Sequence, residues 1–349
     1  MRIGIIGHFG GDKTFIDGQT VKTITLYNAL DRRKPSDVSI DVVDTFYIKR
    51  NPIRFIIILL NSLIRDKKII VLLSENGRKI LFPVLFVFAK YFNKDVYHYA
   101  IGGQLGKEVI QKRKWKKYIN SFRANWMESS KLVTTLKEAG VMNAVYMPNF
   151  KSLKALDPSE LVYSKGEPYR FCTFSRVMAE KGIEDAINAI AEINRKCKKT
   201  RVKLDIYGPI EKGYDERLKQ ILVNNPDSEY CGIVEQNSSV DKLKNYFALL
   251  FPTYWKGEGM PGTVIDAYCS GIPIIARWWP VCDELIEHNK TGIVYPKDHP
   301  EDLQICITEA INNPDLFNTM KLQCLEKGSS FCEETIIKRI SEEMGVRFA

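Results

Sequence analysis

The chain has 349 residues, enough for two domains that each bury a core, and its apolar content of 45% excludes a disordered or fibrous protein. It carries 51 Lys and Arg against 42 Asp and Glu, a net charge of +9. The excess lies in one half: Met1–Phe150 holds 25 basic and 12 acidic residues, net +13, and the remainder is net −4.

The opening Met1-Arg-Ile-Gly-Ile-Ile-Gly predicts a short buried strand, without the apolar core or cleavage site of a signal peptide. Strands follow near Val38–Val43, Lys68–Leu73, Val96–Ala100, Asn125–Glu128 and Val145–Met147, with helical patterns such as Val21–Leu30 and Arg78–Phe92 between them. The runs Ile53–Leu60 and Ile80–Ala89 are about half of a bilayer crossing. They read as core helices or as interfacial patches. Pro148-Asn149-Phe150 predicts a hinge. Beyond it, strands near Phe171, Val202–Tyr207, Tyr230, Leu249–Pro252, Pro273–Ala276 and Gly292–Val294 alternate with helices. The fold class is therefore α/β, with two doubly wound parallel sheets. The domains are expected at 1–150 and 151–330. A last helix within 331–349 is expected to return to the first domain.

Three features of the basic half bear on partners. Residues Lys107–Lys117 and their neighbours place Val109, Ile110, Trp115, Tyr118 and Ile119 on one helical face and Lys112, Arg113, Lys116 and Lys117 beside the other. That pattern suits a helix on an anionic membrane surface or a helix docked on its own sheet. No zinc spacing and no RRM or KH signature accompanies the charge, so no nucleic acid is expected. Gly4-Ile-Ile-Gly7-His-Phe-Gly10, with Asp44 ending the second strand, has a dinucleotide-binding spacing, but its first glycine lies inside the strand and the next helix begins about ten residues later. A dinucleotide fingerprint runs directly from strand to helix, so this one is discounted. The eight cysteines all follow residue 171 without C-x-x-C spacing and read as buried, reduced thiols of a cytoplasmic protein.

The chemistry concentrates in the second half. Between Gly257 and Gly271, Glu258 and Asp266 stand eight positions apart around Gly259-Met260-Pro261-Gly262-Thr263, a glycine-rich turn that opens a helix. The positive end of such a helix receives an anion. Upstream, Arg176 and Lys181 sit in a strand-to-helix loop, where a guanidinium fork and an ammonium suit a diphosphate. The ordinary alternatives are an acid that offsets a helix dipole and cations that face water.

The Glu258–Asp266 stretch resembles the E-x7-E signature of the large retaining glycosyltransferase family with the GT-B fold, here as E-x7-D. Phe174-Ser-Arg176-Val-Met-Ala-Glu-Lys181-Gly182 is similar to the family's Gly-Arg-Leu…Glu-Lys-Gly segment, and Leu204-Asp-Ile-Tyr-Gly208-Pro209 to its strand-then-turn. The resemblance implies two Rossmann-like domains facing across a cleft, an acceptor-binding one followed by a donor-binding one. It implies transfer of a sugar from a nucleoside diphosphate sugar, UDP favoured, with retained configuration and without cofactor or metal. Arg176 and Lys181 would neutralise the pyrophosphate, Glu258 hold the transferred sugar, and Asp266 the ribose. Gly18 and Gln19 look like the family's first glycine-rich loop at the donor. His98, followed by Gly102 and Gly103 at a strand end, is either a packed strand residue or part of an acceptor pocket. Relatives that make bacterial surface polysaccharides look most alike, which implies a saccharide acceptor, lipid-linked, at the inner face of the membrane. A sugar-nucleotide epimerase, a non-catalytic nucleotide-sugar binder and a nucleic-acid binder are the rival readings.

Overall fold

A computed structural model of the chain describes residues 1–11, 18–102 and 105–349. The chain divides into two compact units, Met1–Ser152 with Glu333–Ala349, and Leu153–Cys332.

The first unit runs β1 (Arg2–Gly7), α1 (Gly18–Arg33), β2 (Ser39–Asp44), α2 (Pro52–Arg65), β3 (Lys68–Leu72), α3 (Glu75–Tyr91), β4 (Asp95–Tyr99), α4 (Leu105–Gln111), α5 (Arg113–Asn120), β5 (Ala124–Met127), α6 (Ser130–Glu138) and β6 (Ala144–Tyr146). Among the described residues its strands form one six-stranded parallel sheet in the order β2-β1-β3-β4-β5-β6. Both faces are covered, so the central strands β1 and β3 are nearly continuous in Ile, Val and Leu rather than alternating with polar residues. One core joins α2, α3 and α5 to the sheet through Phe55, Leu63, Phe82, Trp115 and Ile119; the other joins α1 through Leu26 and Leu30.

Two glycines are needed for contact. A Cβ on Gly7 would lie 2.7 Å from Thr23 of α1, and one on Gly4 would lie 2.6 Å from Ser62 and Asp66. Asp44, at the end of β2, accepts backbone N–H groups from Phe9, Gly11 and Phe46 at 2.8–2.9 Å. Its carboxylate ties down the chain on either side of β1 and β2, so the glycines of β1 serve packing.

The second unit runs β7 (Tyr169–Phe174), α7 (Ile183–Cys197), β8 (Val202–Tyr207), α8 (Asp215–Val223), β9 (Ser228–Tyr230), α9 (Ser239–Leu243), β10 (Ala248–Phe251), α10 (Gly262–Cys269), β11 (Ile274–Arg277), α11 (Cys282–Leu285), β12 (Gly292–Tyr295), α12 (Asp302–Asn312) and α13 (Pro314–Gly328). Among the described residues its sheet is again six-stranded and parallel, in the order β12-β11-β10-β7-β8-β9. The last helix, α14 (Glu333–Met344), belongs to the first unit, where Ile336, Ile337 and Ile340 enter the α1 core. Glu333 accepts hydrogen bonds from Arg32 at 2.8 and 3.0 Å and pairs with Arg33.

At two places packing chooses between readings that the sequence left open. Residues Lys107–Lys117 do not form one helix: Lys112 is extended (φ −131°, ψ 104°) and separates α4 from α5. Val109, Trp115 and Ile119 are buried in the unit's own core, with the Trp115 ring 5.4 Å from Phe82, so this amphipathic pattern is spent on the sheet. His98 is fully buried on β4, edge-on to Phe82 at 5.0 Å, with Nδ1 3.3 Å from Asn125 Oδ1 and Nε2 without a partner. It is a core residue and not part of an open pocket. Gly102 has φ 72° in the turn after β4, and Gly103 and Gln104 lie outside the described residues.

Burial pushes the His98 pKa down to about 3, helped by the nearby charge of Arg78. The unfolded chain takes up this proton below about pH 6.5, whereas the folded unit refuses it until about pH 3. The stability that depends on His98 is therefore complete above about pH 6.5 and falls by about 1.4 kcal/mol per pH unit as the pH drops towards 3. His98→Asn, which cannot titrate, should flatten the pH dependence of urea unfolding over that window. An unchanged slope would contradict this assignment.

Candidate functional site

The order of the second sheet contains a reversal. After β7 the chain builds β8 and β9 outward on one side, then returns to place β10 on the other side of β7. Helices that follow β7 and β10 diverge at such a switch point, and the crevice beyond the carboxyl ends of these strands is where open α/β sheets bind ligands. Arg176 and Lys181 follow β7. Thr253 to Thr263 follow β10.

Two glycines let these loops approach. Gly208 has φ 135°, and a Cβ there would lie 1.8 Å from the Ser175 carbonyl oxygen. With that space kept clear, Val177 N–H donates to Pro209 O and Glu211 N–H to Val177 O, both at 2.9 Å, fixing the loop that carries Arg176. Gly182 has φ 68°, and a Cβ there would lie 2.1 Å from the Pro252 carbonyl oxygen. This contact brings Lys181 against the loop after β10.

At the junction Lys181 Nζ donates to Glu258 Oε2 at 2.6 Å, and the side chains are only 11% and 9% exposed. Thr253 Oγ1 donates to the same oxygen at 3.0 Å and accepts the Trp255 N–H at 3.2 Å. Tyr254 N–H reaches Glu180 O at 2.7 Å, its hydroxyl bonds Asp185, and the Arg277 guanidinium stacks 3.8 Å from its ring. Burial raises the pKa of Asp185. Further along, Trp279 Nε1 donates to Gly259 O at 3.0 Å, and Thr263 Oγ1 donates to Phe174 O at 2.5 Å, which ties the first turn of α10 to the end of β7. Met260 and Pro261 are buried beneath this turn, whereas Gly262 and Thr263 are half-exposed at the positive end of α10.

Arg176 differs from Lys181. Its guanidinium lies 5.8 Å from the centre of the Trp255 ring and has no hydrogen bond or ion pair among the described residues. A half-buried cation held only by an aromatic face is free to take an anion.

Within the second unit the structure thus brings together Arg176, Lys181, Glu258, Gly259, Gly262 and Thr263. It does not add Asp266. That residue is fully buried one turn into α10, and its Oδ1 accepts from Ser239 Oγ at 2.9 Å. This short carboxylate joins α10 to the head of α9. Gly18 and Gln19 open α1 of the first unit; Gly18 is exposed, with no heavy atom within 4 Å of where its Cβ would be. Thr253, Tyr254, Asp185 and Trp279 are the site residues that sequence reasoning missed or left open. The crowding of aromatic and hydroxyl residues at 253–255 was the signal for Thr253 and Tyr254. A separate polar hollow of about 990 Å3, lined by Asn188, Glu192, Arg195 and Asp227 among others, holds none of the predicted site residues. Among the described residues no three His, Cys, Asp or Glu side chains are grouped to share a metal ion.

Residues 162–323 match the family model described as glycosyl transferases group 1. Among curated proteins, the chain is 28% identical over 169 residues to a UDP-N-acetylglucosamine--peptide N-acetylglucosaminyltransferase GtfA subunit of Streptococcus agalactiae, covering 48% of this chain and 32% of that protein. An uncharacterized glycosyltransferase of Methanocaldococcus jannaschii is 27% identical over 42% of this chain and 37% of its own. The chain thus spans about a third of the length of the curated relatives it matches. Among solved structures, Anabaena HepE in complex with UDP-glucose superposes with a TM-score of 0.72 at 14% identity, over 99% of both chains. Sucrose-phosphate synthase from Thermosynechococcus elongatus gives 0.74 at 13% identity, over 99% of this chain and 98% of that one. This chain has the GT-B fold, and its residues 162–323 match the model of the glycosyl transferases group 1 family.

Proposed function

We propose that this protein transfers a sugar from a nucleoside diphosphate sugar, a UDP-sugar by preference, to a hydroxyl of a saccharide acceptor, with retained anomeric configuration. The observation that carries the reading is the Lys181–Glu258 pair at the switch point of the second sheet, with Arg176 set against Trp255 and the first turn of α10 tied to the end of β7. As the glycosidic bond breaks, negative charge grows on the leaving diphosphate. Arg176, Lys181 and the N–H groups at Gly262 and Thr263 stabilise that charge. Lys181 leaves Glu258 for the phosphate, and the carboxylate is then available to the hydroxyls of the transferred sugar. The leaving diphosphate takes the proton of the attacking hydroxyl on the same face. Protein cations supply the positive charge, so no metal is required.

The preference for UDP draws on the similar proteins, one named for UDP-N-acetylglucosamine and one solved with UDP-glucose. The second unit would bind the donor, and the first would receive the acceptor. A lipid-linked saccharide of bacterial surface polysaccharide synthesis fits the basic charge of the first half and places the protein peripherally on the inner face of the membrane.

Arg176→Ala should leave the melting temperature nearly unchanged, because among the described residues the guanidinium has no hydrogen bond or ion pair and touches only the face of Trp255. It should weaken UDP binding roughly tenfold to a hundredfold, the worth of about 1.5–3 kcal/mol for a charge-assisted contact. Titration calorimetry on both proteins reads this, and equal affinities would overturn the role. In a thermal-shift series of UDP, GDP, ADP and TDP, UDP should raise the midpoint most, since a ligand at a hundred times its Kd adds about 2.7 kcal/mol to the folded state. A chain that none of the four stabilises is not a nucleotide-sugar enzyme.

A further inference from the structure

Helix α2 is apolar on two sides. Phe55, Leu59 and Leu63 face the sheet, whereas Ile53, Ile57, Leu60 and Ile64 lie on the opposite side, between 42% and 73% exposed. Their spacing of four, three and four residues makes a continuous outward stripe. A helix that is apolar all round is normally enclosed, and this one is covered on one side alone. Helix α3 shares the same core and exposes Ile80 and Val87, with Tyr91 and Phe92 exposed at its end. Lys94 donates to Ile64 O at 2.7 Å and Asp66 O at 2.9 Å, which sets the aromatic end of α3 beside the Ile64 end of α2. The charge around the stripe has one sign. Lys49, Arg50, Arg54, Arg65 and Lys67 are all exposed, and the one acid in 49–67, Asp66, is fully buried.

We infer that this α2/α3 face rests on an anionic lipid bilayer, with α2 lying in the plane of the interface. Exposed aliphatic side chains, aromatic residues at one end and a basic rim without acids are what an interfacial helix presents to anionic lipid. A protein partner for so basic a rim would have to supply the matching acids around an apolar centre. No helix among the described residues is long and apolar enough to cross a membrane, and α2, with 14 residues, spans about 21 Å at 1.5 Å per residue. Contact with the bilayer surface is the geometry left to it. The stretch Lys107–Lys117 does not take this role, because Val109, Trp115 and Ile119 are buried and of that apolar side Ile110 is left well exposed, without a stripe. The inference rests on the lipid-linked acceptor for its biological sense, but the physical contact is independent of donor chemistry.

Sedimentation of the purified full chain with vesicles tests it, using phosphatidylcholine alone and an equal mixture with phosphatidylglycerol, without sugar nucleotide. The wild type should partition onto the mixed vesicles and much less onto the neutral ones. Ile57→Asp with Ile64→Asp should lower that partitioning by about tenfold or more with an unchanged circular-dichroism melt. Arg54→Glu with Arg65→Glu should remove the preference for anionic lipid. The inference is overturned if the wild type stays in the supernatant, or if the aspartate variant sediments as the wild type does. It is equally overturned if light scattering shows a wild-type dimer that the aspartate substitutions split. Vesicle binding without UDP binding would sink the transferase reading and leave this one standing.

Discussion

The second unit is organised around one nearly dry ion pair, Lys181 with Glu258, which closes the two loops that leave β7 and β10. Two charges at this depth keep a favourable interaction only if each is paired and hydrogen-bonded, and Thr253 supplies the further donor to the carboxylate. The pair depends in turn on a backbone constraint. Gly182 must be in the left-handed region with no side chain, because the Pro252 carbonyl occupies the place of a Cβ. A larger residue there would push the lysine and the carboxylate apart even though neither was changed.

This arrangement gives the two cations different tasks. Lys181 is stored against an acid and must be exchanged onto a ligand, whereas Arg176 rests on Trp255 and is available at once. On the proposed function, an incoming diphosphate would meet Arg176 and the start of α10 first. Its charge would then compete with Glu258 for Lys181, and the released carboxylate would be offered to the sugar joined to that diphosphate. Binding and catalysis would be coupled through a single exchanged partner. Tyr254, fixed by Asp185 on one side and Arg277 on the other, and Trp279, bonded to Gly259, keep the loop rigid while this exchange takes place.

Much of this was legible in the sequence because its signals are local. Ile and Val runs with glycine-rich stops reveal parallel strands, and the two loops announce themselves by an arginine and a lysine after one strand and an acid before one helix. The fully buried Asp266 was not legible. Its place in a family-like motif says nothing about Ser239, 27 positions away, which claims its oxygen. Residues 107–117 misled for a similar reason: helical periodicity carries no information about the extended backbone at Lys112 or about the core that Trp115 enters. The outward isoleucines of α2 were visible as an apolar run, but which of them the sheet would cover is decided by tertiary packing alone.

Titration of UDP into Glu258→Gln tests the central claim most directly, with sugar transfer measured on the same protein. With the competing carboxylate gone, Lys181 is free for the phosphate, so UDP should bind tighter than to the wild type, by about threefold to tenfold, while transfer falls by at least about a hundredfold. Weaker or equal UDP binding together with retained transfer would show that the ion pair is a structural tie and that the site works by other groups.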